Sequence, residues 1–327
     1  MTKIIVLTPV KNEEWVLEKF LSVTSLFADC IIIADQGSTD DSRNICARFP
    51  KVHVVNNNGA FNEDSRQLLL IETARRLFPD EQRILFGLDA DEIISADSIE
   101  DEEPWKRIRA LMPGTSIYVE KPDLLSGLGK CIRWRENYFP IGYVDDGITH
   151  RPRAIHSRRI PENPSGENVQ VHDIKIMHFA HTRRNVQSSK QRYYSVLENI
   201  KRNNPLYLRR HTYKCFYRDE HYPQENIEDT PAKWLRGWDE REIDLRNLPD
   251  PNFSWHDFEV LSYFKEYGFK RFYMDDIWEY DWEECRQYAL QSGKDVPATP
   301  IEKPGRFYTG TAKVLDSLYY LYRQAQI

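Results

Sequence analysis

A chain of 327 residues is long enough for two domains, or for one domain with a large appendage. Its 40% apolar content supports a sizeable core, while a net charge of −6 lacks the basic footprint that phosphate-backbone binding needs, so no nucleic-acid partner is expected. The five cysteines, Cys30, Cys46, Cys131, Cys215 and Cys285, show no CxxC spacing, which argues against a zinc knuckle and for free thiols in a reducing, cytoplasmic setting.

Residues 3–8 form an apolar strand and do not read as a signal peptide. Pro9 ends it, and Asn12-Glu13-Glu14 starts a helix whose Trp15, Val16, Leu17, Phe20, Leu21 and Val23 recur at helical spacing. Residues 30–34 are a second buried strand, followed by Asp35-Gln36-Gly37-Ser38-Thr39-Asp40. There Gly37 supplies backbone freedom, and Ser38, Thr39 or Asp40 can cap the next helix. Residues 52–55 are a third strand, 56–59 a loop, and 64–77 a helix that ends before Pro79. Arg83-Ile84-Leu85-Phe86-Gly87-Leu88 is a further buried strand, and it delivers Asp89 and Asp91 at its carboxyl end, where open α/β sheets bind ligands. Alternate residues of an extended segment point the same way, so these carboxylates can share one target. Such hard oxygen ligands suit Mg²⁺ or Mn²⁺ holding a diphosphate. The strand–helix alternation predicts an α/β fold with a mostly parallel central sheet and helices on both faces.

Beyond it, residues 105–111 read as a helix and 116–119 as a strand. Segments 130–134, 154–156 and 169–179 read as further, antiparallel strands, with a loop over 161–166. A helix over 188–202 is stopped by Asn203-Asn204-Pro205, and the Trp- and Tyr-rich remainder has helical patches at 257–267 and 282–291. Trp234, Trp238, Trp255, Trp278 and Trp282 read as core before they read as the lining of a sugar cleft. A last helix over 311–326 aligns Val314, Leu318, Leu321 and Tyr322 on a face suited to the domain or to a second subunit of a homo-oligomer. It lacks a strong basic face, so membrane contact is at most peripheral. No apolar run approaches the ~20 residues of a membrane span.

Thr8-Pro9-Val10-Lys11-Asn12-Glu13-Glu14, Ile32-Ile33-Ala34-Asp35-Gln36-Gly37-Ser38-Thr39-Asp40 and Asp89-Ala90-Asp91-Glu92, in that order and each after a predicted strand, resemble the family-2 glycosyltransferases. The resemblance covers roughly residues 3–195. It implies the GT-A fold, a Rossmann-like nucleotide-diphospho-sugar transferase sheet with a DxD metal motif, and inversion at the sugar's anomeric carbon. It looks closest to the branch of lipopolysaccharide-core glycosyltransferases of the WaaE type. Asn62-Glu63-Asp64-Ser65-Arg66-Gln67-Leu68 resembles that branch's helix start, and Ile174-Lys175-Ile176-Met177-His178-Phe179 its final strand and histidine. Counting back from His178, Ile160-Pro161-Glu162-Asn163 falls where the branch carries Val-His-Glu, with Pro161 in place of the histidine. The expected organisation is a catalytic domain over 1–200 and a helical, aromatic-rich region over 201–327 serving the acceptor side or oligomerisation.

The residue roles follow. Pro9 and Glu13 belong to the nucleotide floor, with Gly37 and Ser38 beside it. Asp35 can accept from a uracil N–H or a ribose hydroxyl. Arg66 opens a helix, where its charge opposes the macrodipole, and so is expected to meet the diphosphate or Asp89. Asp91 is the expected metal ligand, Asp89 binds ribose, metal or both, and by resemblance His178 is a further metal contact, with His181 the runner-up. Arg184 and Lys190 can neutralise the leaving diphosphate or lie on a solvated helix face. An inverting transfer needs a base for the acceptor hydroxyl. Glu162 is the first candidate, Asp146 the second and Asp173 the third, and Arg151 and Arg153 order the acceptor or are exposed. The expected activity is a metal-dependent, inverting transfer from a nucleotide-sugar donor, UDP-linked, to a glycan or lipid-linked acceptor of the bacterial envelope. The alternatives are a nucleotidyltransferase of the same fold type and a catalytically silent nucleotide- or glycan-binding module.

Overall fold

The computed structural model describes residues 2–58, 62–134, 138–151, 158–201, 206–213, 222 and 224–324. It opens with β1 (Lys3–Val10), α1 (Glu14–Thr24), β2 (Cys30–Asp35), α2 (Ser42–Ala47), β3 (Val52–Asn56), α3 (Glu63–Leu77) and β4 (Arg83–Gly87). The apolar runs of β1, β2 and β4 are buried because helices cover the sheet: Ile4, Val6, Ile31, Ile33, Ile84 and Phe86 meet Val16, Leu17, Phe20 and Leu21 of α1. Ile5, Leu7, Ile32 and Leu85 meet Leu70, Ile71 and Ala74 of α3 on the other side. Asn62 caps α3 by accepting from the Asp64 N–H.

The chain continues through β5 (Glu92–Ile94), α4 (Asp97–Glu100), α5 (Glu103–Arg109), β6 (Ser116–Glu120), β7 (Asp123–Leu124), β8 (Lys130–Ile132), β9 (Tyr138–Val144) and β10 (Asn168–His178). It ends with α6 (Arg184–Lys201), α7 (Leu206–Thr212), β11 (Ile227–Asp229), α8 (Lys233–Glu240), α9 (Trp255–Tyr267), α10 (Trp282–Gln291) and α11 (Arg306–Gln324). Among the described residues the strands form one sheet in the order β11-β8-β7-β10-β6-β9-β4-β1-β2-β3, with β5 paired to β10. β3, β2, β1 and β4 are parallel, so their carboxyl ends share one edge. The expected α/β architecture, parallel central strands with helices on both faces, is the one observed.

One expectation changes. β10 was expected to be antiparallel, yet it runs parallel to β6 and antiparallel only to β5. The reason is β9, which the sequence reading missed. It lies antiparallel between β4 and β6 and carries the chain back to their amino ends, from which β10 runs parallel to β6. The expected strand at 154–156 lies outside the described residues, as do Arg153 and Cys215.

The chain divides into two units, Met1–Thr182 with Tyr222–Pro249, and Arg183–His221 with Asp250–Ile327. Trp234 and Trp238 of α8 are buried in the first unit's core, and the Trp238 indole donates to the Ile94 carbonyl at 3.0 Å. In the second unit, α9 begins with a capping box between Ser254 and Asp257. There the Arg192 guanidinium is buried against Asp257 at 2.8 Å and under the Tyr280 ring. Among the described residues no helix is long and apolar enough to cross a membrane.

Candidate active site

Two loops leave the carboxyl ends of β1 and β2 and are tied to each other. The Asn12 N–H donates to Ser38 Oγ at 3.0 Å, the Thr39 N–H to Asn12 Oδ1 at 2.7 Å, and the Glu13 N–H to Ser42 Oγ at 2.9 Å. Gly37 has φ +67, a left-handed value that glycine adopts without strain. The Glu13 carboxylate accepts from the Trp15 indole at 2.6 Å. Pro9 is the penultimate residue of β1, beside Ala34 of β2. Asp35 is buried at the end of β2. Its Oδ1 accepts from the Ser38 N–H at 3.2 Å, and its Oδ2 lies 3.0 Å from Arg43 Nε. Among the described residues no donor is aligned on that Oδ2 for a hydrogen bond. Pro9, Glu13, Asp35, Gly37 and Ser38 therefore share one edge of the sheet, and Arg66 lies in the first turn of α3.

β4 delivers the carboxylate motif to the same edge. Gly87, its last residue, permits a close approach: a Cβ there would lie 2.6 Å from Arg159 Cβ. The Arg159 guanidinium then reaches Asp89 Oδ2 at 2.6 Å and Glu92 Oε2 at 2.5 Å. Lys121 meets the other Glu92 oxygen at 2.9 Å. Burial alone would raise the pKa of Glu92, but Arg159 and Lys121 outweigh it and hold the carboxyl well below the usual carboxylate range.

Asp91 faces His178. β5 and β10 pair Glu92 with His178, and the Phe179 N–H donates to the Asp91 carbonyl at 2.9 Å. This brings His178 Nε2 to 3.7 Å from Asp91 Oδ2. The other ring nitrogen, Nδ1, lies 2.5 Å from Asp123 Oδ1. Burial and Lys121 would lower the His178 pKa, but Asp123 and Asp91 outweigh them and raise it. Burial would likewise raise the Asp123 pKa, and His178 overrides it, leaving Asp123 at about 2.

Of the residues singled out from the sequence, Asp91 lies against His178 and Asp89 against Arg159, while Arg159, Lys121 and Asp123 carried no expectation. The candidate bases have other partners. Asp146 follows β9 and sits near the amino end of β4, where the Asp145 N–H donates to the Arg83 carbonyl. Its carboxylate accepts from Tyr143 Oη at 2.6 Å, the Ile148 N–H at 3.0 Å and Asn163 Nδ2 at 3.0 Å. What burial it has would raise its pKa, and these donors hold it below the ordinary value, which suits a turn and not a proton acceptor. Glu162 is half-exposed, pairs with Arg158 and precedes the Asn163 that binds Asp146. Asp173 is exposed and pairs with Arg107. Neither pairing joins the Asp91–His178 group. His181 is buried, with Nε2 3.7 Å from Asp123 Oδ2. Arg151 is exposed, and Arg184 and Lys190 lie on α6 of the second unit.

Among the described residues, no three His, Cys, Asp or Glu side chains converge as a metal site on their own. Two do fit a shared ion. An ionised carboxylate only accepts, so Asp123 takes the Nδ1 hydrogen and the neutral ring's lone pair is left on Nε2, facing Asp91. A lone pair opposed to a carboxylate at 3.7 Å is unfavourable unless a proton or a cation lies between them. The local balance points the same way: four carboxylates (Asp89, Asp91, Glu92, Asp123) meet two permanent cations (Arg159, Lys121), a deficit of two positive charges when His178 is neutral. Mg²⁺-type sites use one or two protein ligands and complete the shell with substrate phosphates and water.

No family model and no curated protein matches the chain. Among solved structures it is similar to glucosyl-3-phosphoglycerate synthase from Mycobacterium tuberculosis in complex with Mn²⁺, UDP and glucosyl-3-phosphoglycerate, at 21% identity over 37% of this chain and 44% of that one, TM-score 0.24. It is also similar to 4-diphosphocytidyl-2C-methyl-D-erythritol synthase, at 17% identity over 45% of this chain and 71% of that one, TM-score 0.27. The chain thus spans less than half the length of the mycobacterial synthase.

Proposed function

We propose that the protein is a metal-dependent glycosyltransferase that uses a nucleotide-diphosphate sugar, UDP-linked, with inversion. The observation that carries this reading is the approach of His178 Nε2 to 3.7 Å from Asp91 Oδ2 at the carboxyl end of β4. Asp91 and His178 would hold Mn²⁺ or Mg²⁺, which when bound offsets charge on a leaving diphosphate. Arg159 keeps Asp89 fixed beside them, so that its carboxylate is oriented for the donor's ribose or for the ion's water shell. From the resemblance, the proposed acceptor is a glycan or lipid-linked glycan of the bacterial envelope.

Asp35 is proposed to bind the base or ribose through the oxygen on which no donor is aligned. Asp35→Ala is expected to weaken UDP binding by about 1.5–3 kcal/mol, the range for a hydrogen bond to a charged group. Calorimetry with unchanged UDP affinity would reduce Asp35 to a turn residue paired with Arg43.

Of the two leading base candidates, Asp146 is committed to its turn, and Glu162 is carried forward as the proposed base. Glu162→Gln is expected to lower transfer by about 10²-fold with UDP affinity intact, the lower end of what a general base contributes. Normal transfer by this variant would remove Glu162 from the mechanism.

The reading as a whole is tested by incubating the protein with a panel of nucleotide sugars and Mn²⁺ and following release of the nucleoside diphosphate. Release that needs metal supports it; binding without turnover of any donor indicates a silent module.

A further inference from the structure

Asp123, absent from every sequence expectation, is a buried carboxylate of the site with both of its oxygens engaged. Its side chain is 9% exposed. Its Oδ1 accepts from His178 Nδ1 at 2.5 Å, and its Oδ2 accepts from the Trp134 indole at 2.5 Å. The backbone fixes the same pair. β7 and β10 place Asp123 beside His178, and the His178 N–H donates to the Pro122 carbonyl at 2.9 Å. A histidine ring turned over about its Cβ–Cγ bond would present carbon to the carboxylate and forfeit a charge-assisted hydrogen bond in a buried setting. The carboxylate is itself pinned, because the indole N–H occupies its second oxygen.

We propose that Asp123 is the positioning residue of the candidate metal centre. It fixes both the orientation and the tautomer of His178, so that the Nε2 lone pair is held toward the ion shared with Asp91. The role rests on the metal reading for the ion, but the tautomer does not depend on it. Partners of this kind typically change metal affinity by 10- to 100-fold.

The test uses the full chain and Mn²⁺ in the presence of UDP, with free Mn²⁺ read by electron paramagnetic resonance. Asp123→Asn is expected to bind Mn²⁺ 10- to 100-fold more weakly than the parent, and His178→Ala at least as weakly. The double variant should match His178→Ala within about twofold, because Asp123 acts through His178 and the losses are not additive. Independently of any variant or metal, ¹⁵N NMR of the metal-free parent at high pH should show His178 protonated on Nδ1. Asp123→Asn binding Mn²⁺ like the parent, additive losses in the double variant, or an Nε2-protonated His178 would each overturn the proposal. A parent that takes up no Mn²⁺ with UDP would overturn the metal reading beneath it.

Discussion

Asp91→Asn is expected to lower kcat by at least several hundredfold while shifting the melting temperature by no more than about 2 °C. A metal-clamped diphosphate is worth several kcal/mol in the transition state, and each 1.36 kcal/mol is about tenfold in rate. The substitution keeps the backbone carbonyl that accepts from Phe179, so β5 and β10 stay joined. It removes the anionic oxygen that faces His178 Nε2. A variant with near-parental kcat in Mn²⁺ would take Asp91 out of the metal site. A large fall in melting temperature would mean that Asp91 is chiefly a structural partner of His178.

The second large effect concerns the neighbour of a candidate that the structure sets aside. Asp145 has a fully buried carboxylate between Arg75 at 2.7 Å and Arg83 at 2.9 Å. Asp145→Asn leaves two guanidiniums without their counter-ion and is expected to cost about 3–5 kcal/mol of stability, the range for breaking a buried pair from one side. Burial would raise the Asp145 pKa, but the hydrogen bonds from Arg75 and Arg83 outweigh it and depress it. The sign follows. The folded carboxyl is more acidic than the unfolded one, so its contribution is fully present above about pH 4 and is lost as pH falls through the folded value. Denaturant melts of parent and variant should therefore differ most at neutral pH and converge in acid. A constant difference from pH 7 to pH 2 would mean that the loss is one of packing and not of charge.

The adjacent acids Asp145 and Asp146 show why part of the site was unreadable from the sequence. They are the same residue type one position apart. Only the pairing of β9 with β4 sends Asp145 to Arg75 and Arg83 and leaves Asp146 in a turn, at the end of β4 away from Asp91. β9 itself is masked by Pro140 and Gly142, which interrupt any strand pattern. By contrast β1, β2 and β4 were legible because strands buried on both faces become unbroken apolar runs, and α10 matched its periodicity over Trp282–Gln291. Asp89 and Asp91 announced themselves by spacing at the end of such a run. Asp123, Lys121 and Arg159 carry no local signal. They reach the site through the β7–β10 register, the end of β6 and the glycine gap at Gly87.

The central claim is that the carboxyl edge around Asp91 and His178 holds a nucleotide diphosphate through a divalent cation. Thermal unfolding with saturating UDP, in Mn²⁺ and in EDTA, tests it most directly, because a ligand that binds the native state raises apparent stability by mass action. The predicted result is a rise in melting temperature with UDP plus Mn²⁺ that disappears in EDTA and in Asp91→Asn. An equal rise with UDP in EDTA, or none under either condition, would contradict it.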